Sequence, residues 1–212
     1  VNLSSNVVAE NAATPTFIGC VSAEDANEND AHSFILLENE LDNELFLLVE
    51  DSLFAAVSFD YEVQSAYFVA IQAEDEGGLS CVDTLQINVL NVNEPPEILS
   101  ASLSPSAPLD TDEISLAYEY FDIENDSESG TLIYWFCNEI QRPELDGMMT
   151  VSASHLQADD VWHATVTPCD GTNYGETATT ESVTVLSSNV APLAVNLSSN
   201  VVAENAATPT FI

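Results

Sequence analysis

The side chains of this sequence that could do chemistry are mostly acidic, and the chemistry they suit is the binding of a hard cation. The chain holds 36 Asp and Glu residues against a single basic side chain, Arg142, and its formal net charge is -35. Ca²⁺ prefers the carboxylate and amide oxygens that this composition supplies. A solvated acidic surface suited to a salty medium would explain the same composition, so the positions of the acids must decide between the two interpretations.

Other kinds of chemistry find no support in the sequence. The histidines His32, His155 and His163 stand apart from one another, and no serine-hydrolase, zinc-protease or phosphate-loop motif occurs. We therefore predict that the chain is not an enzyme. The lack of Lys and Arg excludes ordinary nucleic-acid binding and argues against anionic membrane surfaces. No apolar run approaches the roughly 18 residues of a membrane-spanning helix, so no span is predicted in this segment.

The elements that must position the acids are predicted to be β-strands. In "TLQINVL" the alternation places Leu85, Ile87 and Val89 on one face, and "AYFVAIQA", "EISLAYEY" and "ESVTVL" alternate in the same way. The segment 36–54, "LLENELDNELFLLVEDSLF", is interpreted as short strands joined by acidic turns. Many short strands separated by turn signals indicate an all-β fold of two antiparallel Greek-key β-sandwiches in series.

Two proline-containing segments divide the chain. "NVNEPPEIL" ends one strand-rich region and "SSNVAPLAV" ends the next, which predicts domains at 1–96 and 97–194. Residues 195–212 repeat residues 1–18, "VNLSSNVVAENAATPTFI", letter for letter. We interpret 195–212 as the first strand of the next repeat in a tandem array, although an engineered duplication would give the same pattern.

Five acidic motifs follow one another in the first domain in the order that cadherin repeats show, and the domain resembles such a repeat. It is most similar to the prokaryotic cadherin-like modules of surface proteins. The motifs are "VVAEN" with Glu10, "SAEDANEND" with Asp25 and Asn27, "FDYE" with Asp60 and Glu62, "AEDEGGLS" with Asp75, and "NVNEPP" with Asn91, Asn93 and Glu94. The resemblance implies Ca²⁺ ions at the joints between domains, because no single loop supplies the six to eight oxygens that the ion needs.

The resemblance also implies which residues would bind Ca²⁺ at the first joint, near residue 94. The first domain and its linker would supply Glu10, Asp60, Glu62, Asn91, Asn93 and Glu94. Asn91 stands where the family usually has Asp, which removes one charge and lowers the expected affinity. The second domain would supply Asp122, Glu124 and Asp126 from "YEYFDIEND" and Asp170 from "VTPCDG". This domain is more distant from the family and resembles an immunoglobulin-like sandwich, with Trp135 of "LIYWFCNE" facing inward.

The joint that links one period to the next is expected to hold calcium less well. Its ligands would be Asp25, Asn27, Asp75, Asn189 and Glu204, and its linker "SSNVAP" carries no acid. We therefore predict unequal joints, one well loaded and stiff and one poorly loaded. Acids that only cap turns and face water are the alternative. The ordered motifs outweigh that alternative at the first joint, while both interpretations stay open at the second.

Four cysteines divide evenly between the two domains. In a secreted protein this pattern suggests one disulfide bond per domain, joining Cys20 to Cys81 and Cys137 to Cys169. The opposite ends of adjacent antiparallel strands can be too far apart for the second of these bonds. Free buried thiols and cross-links between neighbouring chains are the alternatives.

Two functions are consistent with these features. The first is a structural repeat unit of an extracellular or cell-surface fibre, filament or adhesin stalk that Ca²⁺ makes rigid, with identical repeats as its partners. The second is an adhesive module that recognises carbohydrate or a partner cadherin-like domain on other cells or surfaces, through an exposed aromatic platform. The candidate residues for that platform are Tyr118, Tyr120, Tyr134 and Trp162.

The first strand of the repeat raises the question of how successive periods join. In a sandwich this strand lies at a sheet edge and is the easiest to exchange between chains. We favour a covalent array over a strand-exchanged polymer, because each domain already has its own first strand.

Overall fold

The computed structural model describes residues 1–27 and 30–189, whose regular structure consists of β-strands and three short 3-10 helices. This confirms the all-β fold. The chain divides into two compact units, one from Val1 to Glu94 and one that begins at Pro95. The repeated segment 195–212, with Glu204, lies outside the described residues. No helix in the described part of the chain is long and apolar enough to cross a membrane.

The first unit contains two four-stranded sheets. Its strands are β1 (Asn2–Leu3), β2 (Val7–Ala9), β3 (Thr16–Ser22), β4 (His32–Leu36), β5 (Phe46–Val49), β6 (Ser52–Ala55), β7 (Ala66–Asp75) and β8 (Ser80–Leu90). One sheet has the order β1-β3-β6-β5 and the other has the order β2-β8-β7-β4. Within these sheets the pairs are antiparallel except β2 with β8, which run parallel with Ala9 opposite Leu90.

The first strand of this unit is divided between the two sheets. β1 lies at the edge of one sheet and, after a short break, β2 lies at the edge of the other. Gly19 permits the crossing, because a Cβ atom there would lie 2.5 Å from the carbonyl oxygen of Ser5. The backbone N–H of Ser4 donates to the carbonyl of Cys20 at 2.9 Å, and its hydroxyl accepts the N–H of Cys20 at 2.8 Å. The crossing brings Glu10, which follows β2 directly, to the end of β8.

The predicted alternation sets the core of the first unit. Tyr67, Val69 and Ile71 of β7 are buried together with Ile87 and Val89 of β8. Their side chains share one face because successive residues of a strand point to opposite sides. The strand predictions for these two segments are therefore confirmed.

The acidic segment 36–54 forms short strands, as expected, together with a 3-10 helix at Asn43–Leu45. The side chain of Asn43 is buried, and it hydrogen-bonds to backbone groups in the way that a neighbouring strand would. Its amide donates to the carbonyls of Leu37 at 2.7 Å and Ala70 at 2.9 Å, and its oxygen accepts the N–H of Ala70 at 2.8 Å. This buried network fixes the connection between β4 and β5, because a buried polar group is stable only when its hydrogen bonds are made.

The second unit, from Pro95 onward, is also built from short strands. They are β9 (Glu97–Ser104), β10 (Ile114–Phe121), β11 (Leu132–Cys137), β12 (Ile140–Gln141), β13 (Thr150–Val151), β14 (Val161–Thr167), β15 (Ala178–Thr179) and β16 (Val183–Thr184). One sheet has the order β13-β10-β9, and the other has the order β12-β11-β14-β15 with β16 also paired to β14. Two further 3-10 helices occupy Pro143–Leu145 and Ala153–His155.

The core of the second unit is centred on two tryptophans. Trp135 faces inward as predicted, is fully buried, and donates its indole N–H to the carbonyl of Met148 at 2.8 Å. Trp162 packs against it edge to face, with ring centroids 6.5 Å apart. Ile114 and Leu116 of β10 complete this core from the other sheet, as their alternation predicts.

All four cysteines are free, which corrects the prediction of one disulfide bond in each domain. Cys20 lies in β3 with its Sγ atom 3.9 Å from the hydroxyl of Ser52, whereas Cys81 lies in β8 of the other sheet and is exposed. Cys137 lies opposite Trp162 at one end of the β11–β14 pair, whereas Cys169 follows the other end of β14. The seven residues of β14 span about 20 Å, which is beyond the reach of a disulfide bond.

Candidate metal centres

Three carboxylates of the first unit meet where β2 and β8 end. Oxygen atoms of Glu10, Glu62 and Glu94 all lie within 4.8 Å of one another, and we call these residues the Glu10 cluster. Glu10 follows β2, Glu94 lies four residues beyond β8, and Glu62 belongs to the connection between β6 and β7. The parallel pairing of β2 with β8 makes this meeting possible, because it ends both strands at the same edge of the sheet.

Glu10 is the fixed member of this cluster. Its residue is only 2% exposed, and each carboxylate oxygen accepts a backbone N–H at 2.7 Å, Oε2 from Tyr61 and Oε1 from Val92. Its own N–H donates to the carbonyl of Leu90 at 3.1 Å. An ionised carboxylate held by two backbone donors is well ordered and keeps lone pairs for a further partner.

Asparagine side chains hold the other two acids of the cluster. Asn91 donates to Glu62 Oε1 at 3.1 Å, so the amide that replaces the expected Asp orients a neighbouring carboxylate. Asn93 donates to the backbone carbonyl of Glu94 at 3.2 Å. Asn11 donates to Glu94 Oε1 and has a positive φ of 54°, a conformation that Asn tolerates well. Asn11 was not a predicted site residue, although it is the last letter of "VVAEN".

Asp60, the remaining predicted residue of this region, lies outside the cluster. Its Oδ1 accepts the N–H of Val63 at 2.9 Å, and its carbonyl accepts the N–H of Gln64 at 3.1 Å. These contacts close the turn that contains Glu62. Asp60 therefore orders the loop, and its exposed side chain is available to contribute a further oxygen.

No basic side chain offsets the charge of the Glu10 cluster from within the first unit, because the only Lys or Arg of the chain is Arg142. Two like charges 4.8 Å apart repel by roughly 1 kcal/mol in bulk water and by roughly 3 to 4 kcal/mol at an effective dielectric constant of about 20. The clustering is therefore costly unless a cation is bound or the acids take up protons.

A second group of acids lies elsewhere in the first unit. Asp25, Asp30 and Asp75 also have oxygens within 4.8 Å of one another, and we call them the Asp75 cluster. Asp75 accepts the N–H of Leu79 on Oδ1 at 2.8 Å, which orders the Gly-Gly turn. Asn27 donates its backbone N–H to Asp25 Oδ1 at 2.9 Å, so the backbone of Asn27 lies beside the cluster.

Asp25 is held in its ionised form. The backbone N–H of Asn27 and the ring of His32, whose Nε2 lies 3.4 Å from Asp25 Oδ2, lower the pKa of this carboxyl below its ordinary value. Asp30 was not a predicted site residue. The run "SAEDANEND" holds several acids that could reach the Asp75 cluster, but the sequence does not show which of them does.

In the second unit, four acids lie near enough to the phenol of Tyr120 for their charges to affect it. Burial first, and then the charges of Asp122, Asp170, Glu128 and Asp126, together raise the pKa of Tyr120 to about 12. We call these acids the Tyr120 cluster. Three of them were predicted as ligands, and Glu128 was not.

Two aspartates of the Tyr120 cluster are anchored by the backbone. Asp122 is 5% exposed, and its Oδ1 accepts the N–H of Asp126 at 2.9 Å. Its Oδ2 is buried and accepts no hydrogen bond from the residues that the structure describes. Asp170 Oδ1 accepts the N–H of Asn173 at 2.7 Å. Glu124 lies in the turn that follows β10.

The remaining predicted residues give a weaker picture. Asn189 is exposed and exchanges hydrogen bonds with the hydroxyl of Ser187, at 3.1 Å through its carbonyl and 3.2 Å through its N–H. Glu204 lies outside the described residues. None of the four candidate residues of the aromatic platform is exposed, because Trp162 is only 1% exposed and Tyr118, Tyr120 and Tyr134 are half-buried.

Comparisons with known proteins agree with this fold. No family model matches the sequence. A segment of 80 residues, 37% of the chain, is 32% identical to Protocadherin Fat 4 of Mus musculus and spans 2% of that protein. The structure resembles Protocadherin Gamma B2 extracellular cadherin domains 3-6, with a TM-score of 0.52 and 12% identity over 87% of this chain and 46% of the other.

A second solved structure gives the same result. The protocadherin gammaB7 EC3-6 cis-dimer structure matches with a TM-score of 0.50 and 18% identity, over 89% of this chain and 48% of the other. The chain therefore spans about half the length of the solved chains that it matches. Identities this low establish the fold alone, and they confirm the cadherin-like repeat fold that the acidic motifs indicate.

Proposed function

We propose that this chain is a repeat module of an extracellular adhesion protein, in which Ca²⁺ bound at the acidic clusters stiffens the chain. The observation that carries the proposal is the Glu10 cluster, three carboxylates within 4.8 Å in a unit without Lys or Arg. The cadherin-like fold supports it, since a solved structure that this chain resembles is that of Protocadherin Gamma B2 extracellular cadherin domains 3-6.

The donor set of the Glu10 cluster suits Ca²⁺ better than other common cations. It offers oxygen atoms only, which hard cations prefer. Its members come from three separate stretches of chain, which fits the flexible coordination of Ca²⁺ better than the strict octahedron of Mg²⁺. Glu10 would hold the ion in place, because its carboxylate is already fixed by the N–H groups of Tyr61 and Val92.

Calcium at this position would act on the boundary between the units. Glu94 is the last residue of the first unit, and Pro95 is the first residue of the second. An ion shared by Glu10, Glu62 and Glu94 would tie the end of the first unit to β2 and to the β6–β7 connection. Without the ion, the like charges favour conformations in which Glu94 moves away, so the boundary is expected to bend more freely.

The Asp75 and Tyr120 clusters would be further calcium sites of the same array. In this proposal the partners are identical repeats, and together they form a fibre, a filament or an adhesin stalk. The difference in calcium binding between the two joints stays a prediction, because Glu204 lies outside the described residues. The long rod that results would have an extracellular location, where free calcium is abundant enough for modest affinities.

Calorimetric titration of Ca²⁺ into the chelator-treated full chain tests the proposal. We expect saturable binding, and we expect Glu10→Gln to remove part of it while Glu40→Gln, which removes one exposed charge outside the cluster, leaves it unchanged. Ionic strength is held constant so that screening cannot imitate binding. Equal binding by both variants and the parent chain would overturn the assignment of the Glu10 cluster.

A further inference from the structure

A polar pocket of about 240 Å³ opens in the second unit, and the proposed calcium function does not use it. Arg142, Glu144, Asp160 and Trp162 contribute to its lining. We propose that this pocket binds one neutral sugar ring, either as a free monosaccharide or as the end of a glycan. This inference stands apart from the proposed calcium function.

The pocket holds donors that the protein itself does not satisfy. The Nε atom of Arg142 and the indole Nε1 of Trp162 are buried, and no acceptor among the described residues contacts them. Trp135, by contrast, donates its indole N–H to Met148. The guanidinium carbon of Arg142 lies 6.0 Å from the centroid of the Trp162 ring, so the two donors belong to one corner of the pocket. Buried donors without acceptors are unfavourable, which favours entry of an oxygen-bearing ligand.

A small movement gives a ligand access to these donors. Arg142 is half-buried and forms no ion pair within 4.0 Å among residues 1–27 and 30–189. Its guanidinium group hydrogen-bonds to the thiol of Cys137, so a shift of the side chain would break that one contact but no salt bridge. The shift would expose the Nε atom and would open the Trp162 ring, whose centroid lies 6.0 Å from the guanidinium carbon, toward the pocket.

The acids in the same pocket decide the chemistry of the ligand. Glu144 and Asp160 are hydrogen-bond acceptors, and Asp160 is positioned by Asn138, which donates to its Oδ1 at 2.9 Å. A hydroxyl group both donates and accepts, so neighbouring hydroxyls of a sugar can accept from Arg142 and donate to these carboxylates. An anionic ligand would instead meet two like charges on a chain of net charge -35.

The size of the pocket limits the ligand to a single ring. Pockets for drug-sized molecules occupy about 300–1,000 Å³, and this pocket is smaller. Its lining also includes Ser154, His155 and Gln157, whose polar groups can contact further hydroxyls. A monosaccharide combines the required size with several adjacent hydroxyl groups.

The pocket is well separated from the Tyr120 cluster. Asp160 and Trp162 lie at the start of β14, whereas Asp170 follows its other end. The strand between them spans about 20 Å. Removal of Ca²⁺ should therefore leave sugar binding intact, and failure of either proposal can be recognised without the other.

Saturation-transfer NMR on the full chain tests the proposal, with glucose, galactose, mannose, fucose and N-acetylglucosamine as neutral probes and acetate as an anionic one. We expect at least one neutral sugar to receive magnetisation, with calcium or with chelator, and acetate to receive none. Arg142→Met and Trp162→Phe remove the two donors, and each should weaken binding by about tenfold or more. Gln141→Ala, beside Arg142 but outside the pocket lining, should bind as the parent chain does.

Three results would overturn the proposal: no sugar of the panel binds, acetate binds better than every neutral sugar, or both donor variants keep the parent affinity. Near-ultraviolet circular dichroism checks that the variants fold. If Trp162→Phe does not fold, the half-buried Arg142→Met variant still decides the result.

Discussion

Oε1 of Glu10 accepts the backbone N–H of Val92 at 2.7 Å and so joins the residue after β2 to the segment that leads out of the first unit. The second oxygen of the same carboxylate accepts the N–H of Tyr61. One buried acid therefore organises three stretches of chain before any ion binds. The proposed calcium site is largely assembled by the fold, and the ion is expected to act mainly on Glu62 and Glu94.

Glu10→Gln should reduce stability with or without calcium. An amide offers one acceptor where the carboxylate offers two, so either Tyr61 or Val92 loses its partner, and we expect a loss of about 1–3 kcal/mol in the free energy of unfolding. Chemical denaturation in chelator measures this loss, and denaturation in Ca²⁺ measures how much ion-dependent stability disappears. A Glu10→Gln chain as stable as the parent in both conditions would contradict the role assigned to Glu10.

Asn91→Asp should have opposite effects in the absence and presence of calcium. The new carboxylate cannot donate to Glu62 Oε1 and adds a like charge beside it, so the chain without ion should lose stability. With calcium, the added charge should strengthen binding several-fold. Thermal unfolding in chelator and calorimetry in Ca²⁺ measure the two effects. Weaker calcium binding by Asn91→Asp would show that residue 91 does not face the ion.

Two tyrosines should titrate above the ordinary range. Burial, followed by the hydrogen bond to Glu128, raises the pKa of Tyr118 to about 12, and the Tyr120 cluster adds to the effect of burial on Tyr120. In the unfolded chain both phenols ionise near 10.0, so the folded state loses stability as the pH rises from there toward 12. Denaturation at several alkaline pH values should show this loss.

Tyr120→Phe provides the matched comparison for the alkaline loss of stability. The variant lacks one phenol whose folded pKa is raised, so its stability should fall less steeply with pH than that of the parent. An ultraviolet titration that follows tyrosinate formation should also show one fewer tyrosine with a pKa above the ordinary range. An unchanged titration curve would mean that the Tyr120 phenol does not lie among the acids.

The free cysteines should differ strongly in reactivity. Cys81 is exposed and should react first with a maleimide, and half-buried Cys20 should react more slowly. Cys137 and Cys169 should react only after unfolding, and burial also raises the pKa of the Cys137 thiol. Mass spectrometry after labelling counts the modified thiols. Detection of a bond between Cys137 and Cys169 would contradict the register of β11 and β14.

Alternating sequence predicted the strands well, because burial of every second residue is a local property. The inward faces of β7 and β8 follow from it directly, whereas the burial of Trp135 was implied by the resemblance to an immunoglobulin-like sandwich. The division of the first strand did not, since it depends on the close approach of Ser5 to Gly19 in the neighbouring strand β3. The failed pairing of Cys137 with Cys169 likewise depends on strand register, which alternation alone does not fix.

The sequence predicted the kind of site, a group of clustered acids, better than it predicted which residues belong to it. Acidic motifs in family order indicated Glu10, Glu62 and Glu94, which the fold brings together. Asp30 and Glu128 were missed because turns bring them back to their clusters, and several neighbouring acids could have taken the same place. Turn geometry depends on backbone conformation, which the spacing of acids does not reveal.

Nuclear spin relaxation of the backbone, measured for each unit of the intact chain, tests the central claim most directly. If calcium stiffens the boundary at Glu94 and Pro95, the two units should share one long rotational correlation time in Ca²⁺ and show shorter, separate values in chelator. Glu10→Gln should behave in Ca²⁺ as the parent chain does in chelator. Identical correlation times for the parent chain in Ca²⁺ and in chelator would contradict the proposal that calcium makes this module rigid.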